Sequence, residues 1–148
     1  MNSVAWRATV VGMLITLAGI AATAAGNQQK EPSALSGWVK LPAAGATSTT
    51  AFVSVDNPTM YAIYLLSASS DVAGKVEMRE MDKDGAEKRE PTTEVTVPAY
   101  GGVDMEPKGL HLVLSDLKRP LKEGDTVTLS VVTEAGTKLD VAAPVKKE

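Results

Sequence analysis

The chain has 148 residues, 44% apolar and 22% charged, with a formal charge of −3 and no cysteine. This suits one globular domain and excludes a disordered or collagen-like chain. The missing cysteine excludes disulfide scaffolds, thiolate sites, cysteine nucleophiles and a thioether-linked lipid within these residues. The acidic balance and the lack of a basic block exclude nucleic-acid recognition led by phosphate contacts.

Residues 1–25 have the layout of a signal peptide. Arg7 supplies a positive start, Ala8 to Ala22 is an apolar run, and Ala22-Thr23-Ala24 and Thr23-Ala24-Ala25 both fit a small-x-small cleavage site. The run is near the lower limit for spanning a bilayer, so an uncleaved membrane anchor is the alternative. Either reading puts the rest of the chain outside the cytoplasm, in the periplasm or its equivalent. Residues 26–35 read as a polar linker and 36–148 as the domain, which can still bury one small core.

Short strands separated by turn signals then follow. Gly37 to Leu41 alternates and stops at Pro42. Thr50 to Val55 is β-branched and apolar, and ends at Asp56-Asn57-Pro58. Met60 to Ser67 is nearly continuous in apolar residues, Lys75 to Met81 is a further strand, and Asp82-Lys83-Asp84-Gly85 is a turn. That turn lacks the remaining oxygen ligands of a calcium loop. Glu94 to Val97, Val103 to Glu106, Leu110 to Leu114, Thr126 to Val132 and Lys138 to Val145 complete the set. Only Ser70 to Gly74 could form a turn of helix. The pattern predicts an all-β, antiparallel sandwich or barrel.

Several of these segments, in order, resemble the PCu(A)C family of extracytoplasmic copper-binding proteins. They are Trp38-Val39-Lys40 with Pro42, Ala51 to Asn57, Ser69 to Glu77, Val97 to Gly101, Glu106 to Leu112 and, most closely, Leu117 to Asp125. The resemblance spans about residues 36–145. It implies a cupredoxin-like antiparallel β-sandwich and a periplasmic copper chaperone that binds Cu(I) and delivers it to a copper-accepting protein of the cell envelope. A membrane contact is implied only if the N-terminal segment is retained.

The family's ligand set is a His, a Met after ten residues, and His-x-Met after another twenty-one. Counting back from His111, the single histidine, puts the first ligand on Met78, the second on Arg89 and the last on Val113. Only His111 carries the family residue. Met78 keeps a soft donor suited to Cu(I), and Val113 offers none. Arg89 has no lone pair and a permanent charge. At about 5 Å from a monocation, with an effective dielectric of about 20, it would repel by about 3 kcal/mol unless a carboxylate such as Glu77, Glu87 or Glu90 neutralised it. Met81 and Met105 are the sulfurs that could compensate.

The expected metal residues are therefore His111, Met78, Met81 and Met105, each with a plainer reading beside it. A lone histidine is usually structural, Met78 could fill a half-buried strand, and Met105 could pack in the core. Leu110, Leu112 and Leu114 share one strand face, so His111 and Val113 share the other and point towards a groove or solvent. No Ser–His–Asp or Cys–His constellation is recognisable, so no enzyme is expected. The alternative to a copper carrier is a metal-free binding or assembly module that kept the fold and lost the site.

Overall fold

Period-two alternation of apolar and polar residues decides which segments become strands, because successive side chains of a strand point to opposite faces. The computed structural model describes residues 30–148 and contains nine strands there. The expected signal peptide and residues 26–29 of the expected linker lie outside the described residues. The strands are β1 (Ser33–Lys40), β2 (Thr49–Asn57), β3 (Ile63–Ser70), β4 (Ala73–Arg79), β5 (Val95–Val97), β6 (Gly101–Asp104), β7 (His111–Leu117), β8 (Thr126–Thr133) and β9 (Lys138–Lys146). All nine fall on segments anticipated from the sequence.

The first sheet runs β4-β7-β2-β1-β9, with β6 on β2 beyond the end of β7. The second runs β9-β8-β3-β5, so β9 belongs to both and curls the sheet into a cupredoxin-like sandwich. Pairing is antiparallel except between β1 and β9, which run parallel through Val39–Val145 and Lys40–Lys146. Ala51, Val53 and Val55 of β2, with Leu112 and Leu114 of β7, are buried against Leu65 of β3 and Val127, Leu129 and Val131 of β8. Each such side chain contributes about 1.5–3 kcal/mol of transfer free energy.

Four details differ from the sequence expectation. β6 spans Gly101–Asp104, two residues ahead of the expected Val103 to Glu106, because Gly101 and Gly102 pair with Asn57 and Asp56. β1 begins at Ser33, inside the stretch read as linker, because Ser33 and Ala34 find partners in Asp56 and Val55. β3 begins only at Ile63, because the buried Asn57 amide donates to the carbonyls of Tyr61, Val97 and Pro98 and prolongs the turn. Tyr61 is accordingly exposed. Asp71 and Val72 make a tight turn rather than a turn of helix. The Ser70 hydroxyl accepts from the Val72 N–H at 3.3 Å, and this corner carries the chain from one sheet to the other.

Candidate metal centre

Two neighbouring strands of the first sheet, β4 and β7, place the predicted metal residues. Their register puts Met78 opposite Leu112 and Arg79 opposite His111. Directly opposed residues of an antiparallel pair project to the same face. Met78 therefore points with Leu112 into the core, where it is 3% exposed, and Arg79 points with His111 to the outer face. Met78 and His111 lie on opposite faces of one sheet, so the expected Met78–His111 pairing is corrected. Met105 is corrected for the same reason. Its N–H donates to the Val53 carbonyl at 3.2 Å, just beyond the Ser54–Asp104 pair, and its side chain is buried in the core cluster.

His111 faces away from the leucines, as alternation requires, but it is only 1% exposed. What covers it is a hairpin that leaves β4 and returns. Lys88 N–H donates to Glu80 O at 2.9 Å, Met81 bridges Glu87, and Asp82 to Gly85 form the turn. Asp82 Oδ1 accepts the N–H groups of Asp84 and Ala86 at 2.9 and 3.0 Å, and Gly85 takes φ 80°, a conformation that favours glycine. Met81 N–H donates to Gly109 O at 3.3 Å and ties the hairpin to the turn before β7.

Between the hairpin and the outer face of β7, β2 and β1 lies an open cavity of about 190 Å³ lined by His111, Met81, Glu87, Thr50, Phe52 and Lys40. Of the four expected ligands, then, the structure brings His111 and Met81 together. Trp38 stacks on Phe52 with ring centroids 4.5 Å apart, and Lys146 Nζ lies 4.8 Å over the Trp38 ring. This pair floors the outer face near the cavity.

Both imidazole nitrogens are engaged. Nδ1 lies 2.9 Å from Gly109 O and Nε2 lies 3.1 Å from a Glu87 carboxylate oxygen. Neither ring nitrogen is left without a partner. The second Glu87 oxygen is 3.5 Å from Arg79 Nε. Arg79 also donates to Glu77 at 2.8 Å through Nη2, and through Nη1 to the carbonyls of Lys88 and Arg89 at 3.2 and 3.1 Å. Lys75 closes the series with Glu77 at 2.7 Å. Lys75 and Arg79 together hold the Glu77 carboxyl below its ordinary range, and Glu77 holds the Arg79 guanidinium above its own.

The cation beside His111 is thus Arg79, not the expected Arg89. Arg89 is exposed, and its part in the site is its backbone carbonyl. Val113 lies opposite Glu77 and supplies no donor. The sequence alone offers Glu77 and Glu87 only as partners for Arg89 and does not single out Arg79. The available signal was the strict alternation of Val76 and Met78 with Glu77 and Arg79, which puts the charged pair on the face His111 shares. Among the described residues no group of three or more His, Asp and Glu side chains could hold a metal ion. The soft donors present are one imidazole and one thioether.

The family described as "Putative lipoprotein LpqE-like" matches residues 33–145. The "Putative lipoprotein Lxx21020" of Leifsonia xyli subsp. xyli (strain CTCB07) is 32% identical over 146 residues, covering 93% of this chain and 87% of that protein. Among solved structures, the apo PCuAC domain from PmoF1 superposes with a TM-score of 0.69 at 17% identity, over 80% of this chain and 96% of the other. The copper(I)-bound form of DR1885 from Deinococcus radiodurans superposes at 0.66 with 29% identity, over 86% and 87% of the two chains. The fold of the domain is that of PCu(A)C proteins.

Proposed function

The chain belongs to the LpqE-like family, and from that premise we propose that it handles copper outside the cytoplasm without catalysing a reaction. Cu(I) is the cargo, taken up at His111 Nε2 and Met81 Sδ and passed to an acceptor protein of the envelope by ligand exchange. The observation that carries this reading is that an imidazole and a thioether line one cavity on the face where the fold leaves His111. Imidazole and thioether are the donor types that suit a soft monocation. A two-donor site binds weakly and releases readily, which suits a carrier. Arg79 opposes the cation, but Glu77 and Glu87 flank its guanidinium and offset much of that charge. The two lipoprotein names support an extracytoplasmic location, as does the signal-peptide layout of residues 1–25.

The test is a competition titration of the purified protein against a chromophoric Cu(I) chelator. Micromolar or tighter binding that disappears in His111→Ala supports the reading, and no uptake at all removes it.

A second reading is favoured by a different observation. Lys75, Glu77, Arg79, Glu87 and His111 satisfy one another, and among the described residues no buried side-chain nitrogen or oxygen lacks a partner. A self-satisfied charge network suits a metal-free binding or assembly module. If Arg79→Met creates Cu(I) binding in a protein that has none, the metal-free reading gains.

A further inference from the structure

His111 is the only histidine of the chain, and its outward nitrogen is occupied by the chain's own carboxylate. We propose that Glu87 is a built-in competitor for copper, a cap on His111 Nε2 that must swing away before metal can bind; the inference rests on the copper-handling reading above.

Three observations support it. First, Glu87 is the residue that occupies the donor position, since its carboxylate oxygen stands 3.1 Å from Nε2. A metal ligated at Nε2 needs that position free, so it must displace the carboxylate. Second, the cap has somewhere to go. Its other oxygen already lies 3.5 Å from Arg79 Nε, and a small rotation exchanges the imidazole for a closer pairing with the guanidinium. Arg79 is fixed in place by Glu77 and by the carbonyls of Lys88 and Arg89, so the alternative partner is preformed. Third, the cap is mounted on an outlying element. Residues 82–90 are exposed throughout, whereas His111 beneath them is buried. The hairpin is held by Met81 N–H to Gly109 O at 3.3 Å and by exposed contacts, Arg79 Nη1 to the carbonyls of Lys88 and Arg89 and the Glu80–Lys88 pair. Exposed hydrogen bonds and sparse apolar contact mark a segment that opens at low cost.

Met81 is half-buried and lines the same cavity, so displacing Glu87 frees the imidazole where a thioether is already at hand. The Glu87 side chain is 40% exposed, so solvent weakens the contact it makes. Its removal should change apparent affinity by about tenfold, the low end for a hydrogen bond to a charged group.

The experiment uses Glu87→Ala in the full chain, with Glu80→Ala as a control that removes another exposed carboxylate of the hairpin, the partner of Lys88, without touching the imidazole. Two readouts are followed: the Cu(I) affinity in chelator competition, and the rate at which diethyl pyrocarbonate modifies the single imidazole. The expected result is about tenfold tighter Cu(I) binding and about tenfold faster modification in Glu87→Ala, with Glu80→Ala near wild type in both. Glu87→Gln, which keeps the shape and loses the charge, should lie between. Modification of Glu87→Ala at the wild-type rate overturns the cap. If modification accelerates but neither protein binds Cu(I), the copper reading fails and the cap stands. If the wild type binds Cu(I) and Glu87→Ala changes neither readout, the cap fails and the copper reading stands.

Discussion

Strand β4 gives two adjacent residues opposite surroundings. Met78 enters the core opposite Leu112, and Arg79 joins the outer face opposite His111. The first surrounding is apolar, closely packed and common to any sandwich of this shape. The second is charged and covered by a hairpin. One step along a strand separates structure from chemistry, because a shift of one residue exchanges the faces. The same lesson holds on β2, where Ala51 and Val53 are core and Thr50 lines the cavity.

Substitutions on the two faces should therefore separate stability from metal binding. The largest stability loss is expected for Met78→Ala, about 2–5 kcal/mol from lost burial and the cavity left behind. Urea unfolding would read it, and the fraction that remains folded should keep its Cu(I) affinity. His111→Ala comes next. It removes a buried ring and leaves Gly109 O and Glu87 without their partner, a loss of about 1–3 kcal/mol together with all Cu(I) binding.

A smaller effect is expected from the ion-pair series. Lys75 and Arg79 depress the Glu77 carboxyl below its ordinary 4.5. A depressed acid contributes stability above that ordinary value and loses it as pH falls through the lower folded value. Glu77→Gln should accordingly be less stable than wild type at neutral pH. The two unfolding curves should converge as the medium is acidified below about 4.5. A difference that persists unchanged into acid would show that the pairing contributes nothing. The smallest stability change belongs to Met81→Ala, within about 0.5 kcal/mol for a half-buried side chain outside the core. Its Cu(I) affinity should nevertheless fall tenfold or more, because it loses one of two soft donors.

The fold was legible because its signal is local. Alternation and turn residues marked all nine strands, and Asp56-Asn57-Pro58 and Asp82 to Gly85 marked turns that the structure keeps. The face of His111 followed from Leu110, Leu112 and Leu114 by the same rule. The site was less legible because it depends on pairing between distant segments. Counting along the chain put the register on Met78 and Arg89, whereas the β4–β7 ladder selects Arg79. The burial of His111 depends on the 80–88 hairpin folding back over β7, and Glu87 reaches the ring across 24 residues of sequence. No local pattern reports such a contact.

The central proposal is that copper is taken up on the outer face of the sheet, at His111 and Met81, and not on the core face that holds Met78. The direct test compares Cu(I) competition titrations of Met81→Ala and Met78→Leu, a core change of nearly conserved volume that should cost less than about 1.5 kcal/mol. The account predicts that Met78→Leu binds Cu(I) like the wild type and that Met81→Ala loses at least tenfold in affinity. Loss of binding in Met78→Leu with retention in Met81→Ala would contradict it.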